Sequence, residues 1–376
     1  LRADYEAEAA FVKSHSPLAF GIMMKLGLGL NPHTFTRDNY RFARQAGATH
    51  IVAHLTKYIP AERAPGSKAE FGGMLADPRP PWTYEELRDL KSAMAAEGLT
   101  LEALENFNPC HWHDILLDGP KKAQQLEDVK QMIRAVGKAG IRVMGYNFSI
   151  GGVWGLTPVN DARGGAGTVA FGYDVEQPIP EGMVWNMIYD PSAPNRPMRP
   201  VTHEELWGRL TEFLQVIMPV AEESGVMMAL HPDDPPMPTI RGSARLVNRP
   251  SLYQRVLDIY PSPKNGMEFC IGTLTEMDDP QDADMYDVID RYAATGRIGY
   301  IHFRNVRGKV PNYVEVFVDE GDVDMVRALR VLHKNGYDGV LIPDHTPSMS
   351  CAAPWHAGMA YALGYMRAAI RIIEGS

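Results

Sequence analysis

Eight short apolar runs alternate with eight helical stretches along the 376 residues, metal-binding residue types stand at the ends of the later runs, and no dinucleotide-type glycine fingerprint follows the first run. Together these observations predict an α/β fold, a (β/α)8 TIM barrel with a long insertion after strand 4. The competing architecture, an open doubly wound sheet, wants three glycines behind strand one, and Gly27-Leu28-Gly29 lacks the third. A chain this long is often two or three domains, but barrels of this size run as one. Residues 1–376 are therefore read as a single domain, with 149–200 as an insertion that serves as a lid or an oligomer contact.

The elements follow in order. Leu18 to Met24 is the first apolar run, followed by a Gly-rich turn through Gly27 and Gly29. Thr36-Arg37-Asp38 opens a helix that stops at Gly47. Ala48 to Leu55 is the second strand, and a loop rich in Pro and Gly runs from Pro60 to Pro81. Thr83 with Glu86 three residues on is a capping box, and that helix stops at Gly98. Leu99 to Leu104 is a strand ending in Glu105-Asn106. Ala123 to Ala139 is helical, and Ile141 to Phe148 is strand four. The segment from Ser149 to Pro200 has little periodicity; its Trp154, Phe171, Tyr173 and Trp185 suit burial under a lid or against a second subunit. Thr202 and Glu205 cap the next helix, Val226 to His231 is strand five, and Gly266 to Cys270 is strand six. A helix from Pro280, a strand from Ile298 to Phe303, a helix from Asp322 to Asn335, a strand from Tyr337 to Pro343 and a helix from Ala357 to Glu374 complete the series.

Composition narrows the function classes. With 45% apolar and 22% charged residues, the chain can bury a large core. A formal net charge of −9 without a Lys/Arg block argues against a nucleic-acid partner. No apolar run approaches the roughly 20 residues of a membrane-spanning helix. Leu1-Arg2-Ala3-Asp4-Tyr5-Glu6 does not read as a signal peptide, although a start at Leu leaves room for a processed leader. Cys110, Cys270 and Cys351 are scattered and form no disulfide framework, which fits a reducing cytoplasm.

Strand ends in a barrel face one mouth, where sites are built. Strand five ends in His231, six in Cys270, seven in His302 and eight in Asp344, with His345 beside it. Two imidazoles, a thiol and a carboxylate suit a divalent transition metal such as Mn, Fe, Co, Ni or Zn, with room for a substrate on the same ion. Singly, each has a plainer reading: a small apolar Cys, a satisfied His, an Asp capping a turn. Jointly, four such residues at the same point of four successive units favour a metal site. Asp233 and Asp234, between prolines, are read as structural or as acceptors that orient a ligand. Arg304, two residues past His302 on the same strand face, is read as a fork for a substrate carboxylate.

The stretches His231-Pro232-Asp233-Asp234-Pro235-Pro236, Cys270-Ile271-Gly272-Thr273, Ile301-His302-Phe303-Arg304 and Pro343-Asp344-His345 resemble the D-mannonate dehydratase family of xylose-isomerase-like barrels. The resemblance extends to Tyr146-Asn147-Phe148 and to Ile217 through Glu222. It implies Mn2+ or Fe2+ held by His231, Cys270, His302 and Asp344, and dehydration of D-mannonate to 2-keto-3-deoxy-D-gluconate in hexuronate catabolism. It also implies an acid/base role for His345 and a substrate contact for Asn147. His356 stands where the family usually carries a catalytic Tyr, and Tyr361 where it carries an Arg. Val153-Trp154-Gly155-Leu156-Thr157 replaces a D-W-T-R-like run. These departures make His356 the second catalytic candidate and Tyr361 a substrate-binding one. The expected partner is a small sugar acid, with neither nucleic acid nor membrane involved, and the expected assembly is a homo-oligomer. Competing readings are a sugar or sugar-acid isomerase or epimerase on the same barrel and, behind it, a non-enzymatic sugar-acid binding protein. A metal-dependent phosphodiesterase would want more His/Glu ligands and a basic groove.

Overall fold

The strands Lys25–Leu30 (β1), His50–His54 (β2), Thr100–Glu105 (β3), Val143–Tyr146 (β4), Met227–Leu230 (β5), Asn265–Cys270 (β6), Ile298–His302 (β7) and Val340–Ile342 (β8) close into one barrel. Each pairs in parallel with its two neighbours, and β8 returns to β1 through Lys25 opposite Val340. The structure, a computed structural model, describes residues 24–60, 73–172 and 176–375. The later strands are buried along their whole length, as near-continuous apolar runs in a sheet covered on both faces should be.

Helices Arg37–Gln45 (α1), Tyr84–Ala95 (α2), Pro109–Leu117 (α3), Lys122–Lys138 (α4), His203–Ser224 (α5), Leu252–Ile259 (α6), Ile271–Glu276 (α7), Met285–Ala293 (α8), Met325–Lys334 (α9) and Pro354–Glu374 (α10) run between and around the strands. Local sequence sets their ends. At α5 the Thr202 hydroxyl accepts from the Glu205 amide at 3.3 Å, and the Glu205 carboxylate accepts from the Thr202 amide at 2.8 Å. Gly225 closes that helix in the left-handed conformation, φ 70°. The inward stripe of α5, with Leu206, Leu210, Phe213, Leu214 and Ile217, joins the large core between helices and strands. A separate, smaller cluster of Val52, Ala103, Val143, Ala229, Tyr300, Val340 and Ile342 fills the barrel interior.

Three expectations change. The expected first strand, Leu18 to Met24, lies apart from Met24 outside the described residues, and the first barrel strand among the described residues is Lys25–Leu30, where a Gly-rich turn was expected. The reason is packing. A Cβ on Gly27 would lie 2.6 Å from Val340 Cγ1 and 3.0 Å from Ile342 Cγ2, so the strand seats against β8 only with glycine there. Second, α3 lies between β3 and α4, where no helix was expected. Third, the Ser149–Pro200 segment contains strands. Leu156–Ala162 and Ala166–Gly172 form a hairpin that joins a second hairpin, Asn305–Lys309 with Asn312–Val316, in one four-stranded antiparallel sheet. Met183–Val184 and Met187–Ile188 pair with Tyr58–Pro60 and Met74–Ala76 in a second small sheet. Of the four aromatics in the segment, Phe171 is buried against Tyr313, Trp154 lies under the Arg241 guanidinium at 3.8 Å and Trp185 flanks His54. Tyr173 lies outside the described residues.

The packing at Gly27 has a direct test. Gly27→Ala should cost about 1–3 kcal/mol by overpacking, read from urea denaturation. Gly208→Ala, at an exposed position of α5 with nothing within 4 Å of the added Cβ, should instead gain about 0.5–1 kcal/mol from helix propensity. Equal responses of the two variants would contradict the packing account.

Candidate metal centre

The ends of β5, β6 and β7 bring His231, Cys270 and His302 together. One ligand atom from each lies within 4.8 Å of the others. His231 sits where the strand stops pairing, and its Nδ1 donates to the Pro232 carbonyl at 2.6 Å, which leaves Nε2 as the nitrogen open to a ligand. Cys270 ends β6 and caps α7, so its sulfur accepts from the Thr273 amide at 3.4 Å and the Thr273 hydroxyl at 3.1 Å. His302 Nδ1 is buried without a hydrogen-bond partner, and Asp344 Oδ2 stands 3.4 Å from it. Asp344 itself adopts a left-handed backbone, φ 61°, just past β8.

The electrostatics of this group suit a cation. Burial alone would raise the Cys270 thiol, but the Arg304 charge and hydrogen bonding from His231 and His302 bring it down to about 5. Burial disfavours the charged form of His231; its hydrogen bond with Cys270 and the Glu268 charge outweigh this and raise it to about 9. His302 is raised well above its ordinary value against burial, by Asp344 and Glu105. Asp344 is held well below its ordinary value, against burial, by His302 and His345. A thiolate and carboxylates thus share one pocket with imidazoles carrying protons. A divalent ion would replace those protons and satisfy the orphaned His302 Nδ1, so the donor set fits a metal.

Arg304 does not reach outward to a ligand. It is 2% exposed and its fork closes on the protein. Nη1 donates to Glu315 at 2.6 Å; Nη2 donates to Asp234 at 2.7 Å, Thr273 at 2.8 Å and Glu276 at 3.2 Å. Nη2 also lies 3.6 Å from the Cys270 sulfur. Three buried acids and a hydroxyl thus occupy both branches of the guanidinium within the protein. Asp234 further accepts from Tyr313 at 3.0 Å. Asp233 instead caps backbone, accepting from Leu246 at 2.6 Å and Val247 at 2.9 Å.

A cavity of about 810 Å³ opens beside the ligand group, lined by Asp344, His345, Glu105, His54, Asn31 and the Leu156–Gly172 hairpin among others. His345 Nδ1 stands 3.1 Å from both Glu315 oxygens, and its Nε2 lies 3.6 Å from Asp344. The carboxylates of Asp344 and Glu315 together push His345 up to about 10. Other predicted residues lie elsewhere. His356 donates through Nε2 to Asn39 Oδ1 at 2.9 Å and packs its ring on Phe42 and Trp355. Tyr361 donates to Asp319 at 2.7 Å and accepts from Arg163 at 3.2 Å, at the turn of the hairpin. Asn147 is buried past the end of β4. None of these three is among the described residues lining the cavity.

Sequence reasoning missed Glu315, which holds His345 and Arg304, and Glu276, which sits at the end of a six-residue helix. It also missed the pairing of Glu105 with His54 and His302, each at 3.3 Å. A signal existed for Glu105, since it ends a strand as the metal ligands do. Alternation in Asn312–Val316 marked Glu315 only once a hairpin was known to be there.

The model of the D-mannonate dehydratase family matches residues 43–368. Mannonate dehydratase 2 of Halalkalibacterium halodurans is 31% identical over 280 residues, covering 70% of this chain and 79% of its own. The mannonate dehydratase of Streptococcus equi subsp. zooepidemicus is 33% identical over 277 residues, covering 70% and 74%. The crystal structure of mannonate dehydratase from Streptococcus suis serotype 2 superposes with a TM-score of 0.72 at 25% identity, covering 94% of both chains. A 3-keto-D-glucoside 4-epimerase from E. coli superposes with a TM-score of 0.54 at 12% identity, over 92% of this chain and 99% of its own, and shares the fold alone.

Removing the guanidinium while keeping its bulk tests the Arg304 network. Arg304→Met should lose about 3–5 kcal/mol, because buried acids are left without their partner. Arg304→Lys should recover only part of that, since a point charge cannot serve both branches of the fork. Chemical denaturation reads both, and a Met variant as stable as the parent would refute the network.

Proposed function

The chain belongs to the D-mannonate dehydratase family, and from that membership we propose that it is a metal-dependent hydro-lyase converting D-mannonate to 2-keto-3-deoxy-D-gluconate. The observation that carries this reading is the convergence of His231, Cys270 and His302, with Asp344 beside them, next to the cavity that holds His345. We assign Mn2+ or Fe2+ to these four residues, with Co2+, Ni2+ or Zn2+ as alternatives. Bound there, such an ion supplies Lewis acidity to an α-hydroxy acid.

The rest of the reaction falls to the protein. Loss of water from D-mannonate takes the proton from C2 to a base and expels the C3 hydroxyl, which gains a proton and leaves as water; the resulting enol ketonises. His345 is the group we assign to proton transfer. Glu315 holds its Nδ1, so Nε2 is the atom that exchanges a proton with the substrate. The hairpin Leu156–Ala162 with Ala166–Gly172 contributes Val159, Asn160, Thr168 and Val169 to the cavity wall, and we read the 149–200 segment as the lid that keeps bulk water out. Cytoplasmic location and a homo-oligomeric assembly complete the proposal; light scattering reads the second.

Three measurements check it. Chelation should abolish turnover of D-mannonate, and Mn2+ should restore it. His345→Ala should lower kcat on the order of 10²-fold or more with metal content unchanged. His356→Phe, which keeps a ring against Phe42 and Trp355, should retain kcat; a comparable loss would move His356 into the chemistry.

A further inference from the structure

We infer that Glu105 is a positioning residue for the metal centre: one carboxylate that fixes the His302 ring from across the barrel and holds the His54 ring in the cavity wall. The inference rests on reading His302 as a metal ligand. Glu105 ends β3 and His302 ends β7, and the order of strands puts four steps between them in either direction. They face each other across the full width of the barrel mouth, yet Glu105 Oε2 is 3.3 Å from His302 Nε2. The other oxygen, Oε1, is 3.3 Å from His54 Nε2, at the end of the neighbouring strand β2. One side chain thus divides its two oxygens between two imidazoles.

A neutral imidazole carries its proton on one nitrogen and offers a lone pair on the other. His302 Nε2 faces two carboxylates, Glu105 at 3.3 Å and Glu268 at 3.2 Å. That side of the ring must donate. With a metal shared between Asp344 and this ring, the lone pair is directed through Nδ1, which stands by Asp344 and has no hydrogen-bond partner among the described residues. This is a carboxylate–imidazole–metal arrangement, in which the carboxylate sets the tautomer and the ring angle. Glu268 is 1% exposed inside the barrel, where Gly145 leaves room for it beside the Tyr300 hydroxyl. Glu105 alone of the pair also lines the cavity. Its grip on His54, which also meets Asn106 Nδ2 at 3.1 Å, ties the metal ligand to the substrate wall.

Mn2+ titration of the metal-free protein by calorimetry tests this. Glu105→Gln should weaken Mn2+ binding roughly 10–100-fold, while the melting temperature of the metal-free protein stays near the parent's. Glu105→Asp keeps the charge but draws it back from both rings, and should weaken binding in the same direction. Parent-like Mn2+ affinity in either variant would overturn the positioning role, as would a loss of affinity matched by an equal loss of metal-free stability. Failure of the underlying reading looks different: His302→Ala would then bind Mn2+ as tightly as the parent.

Discussion

The site depends on a buried guanidinium. Arg304 lies at the barrel mouth with Asp234, Glu276, Glu315 and the Cys270 sulfur around it. These groups come from the loop after β5, the helix after β6 and the hairpin after β7, so one cation gathers three separate segments. Burying that many acids without it would cost several kcal/mol for each charge left over. The same charge is the chief reason Cys270 favours the thiolate a metal requires. Burial and Asp234 push the Glu276 carboxyl well above its ordinary value.

From this anchor a polar network extends outward. Glu315 accepts from Arg304 on one side and holds His345 on the other. Its own strand is stitched to the Leu156–Gly172 hairpin, through the Thr168 hydroxyl on the Glu315 carbonyl at 2.8 Å and through Phe171 stacked on Tyr313. Arg163 at the hairpin turn bonds Asp319 and Tyr361. The hairpin, His345 and the group of His231, Cys270, His302 and Asp344 are therefore one connected structure, and movement of the hairpin would be felt at His345.

Much of this was legible in the sequence, for physical reasons. Parallel strands buried on both faces must be apolar runs, and their ends must meet at one mouth, so His231, Cys270, His302 and Asp344 were recognisable as neighbours before any coordinates. The glycines of β1 misled because Gly usually signals a turn; here Gly27 answers to Val340, a residue more than three hundred positions away. Arg304 was read as a substrate fork because its strand face pointed to the mouth. Nothing local revealed that Asp234, Glu276 and Glu315 would reach it first. His356 was expected at the chemistry from the resemblance alone, but Asn39 and Phe42 hold its ring on the helix side.

The central claim is that the metal group and His345 form one dehydrating site. Its most direct test is to load the metal-free protein with Mn2+ in known stoichiometry, supply D-mannonate and follow the product by mass spectrometry. The account predicts one equivalent of tightly bound metal and a 2-keto-3-deoxy acid lighter than the substrate by one water. A product of unchanged mass, or the same dehydration by protein shown to hold no metal, would contradict it.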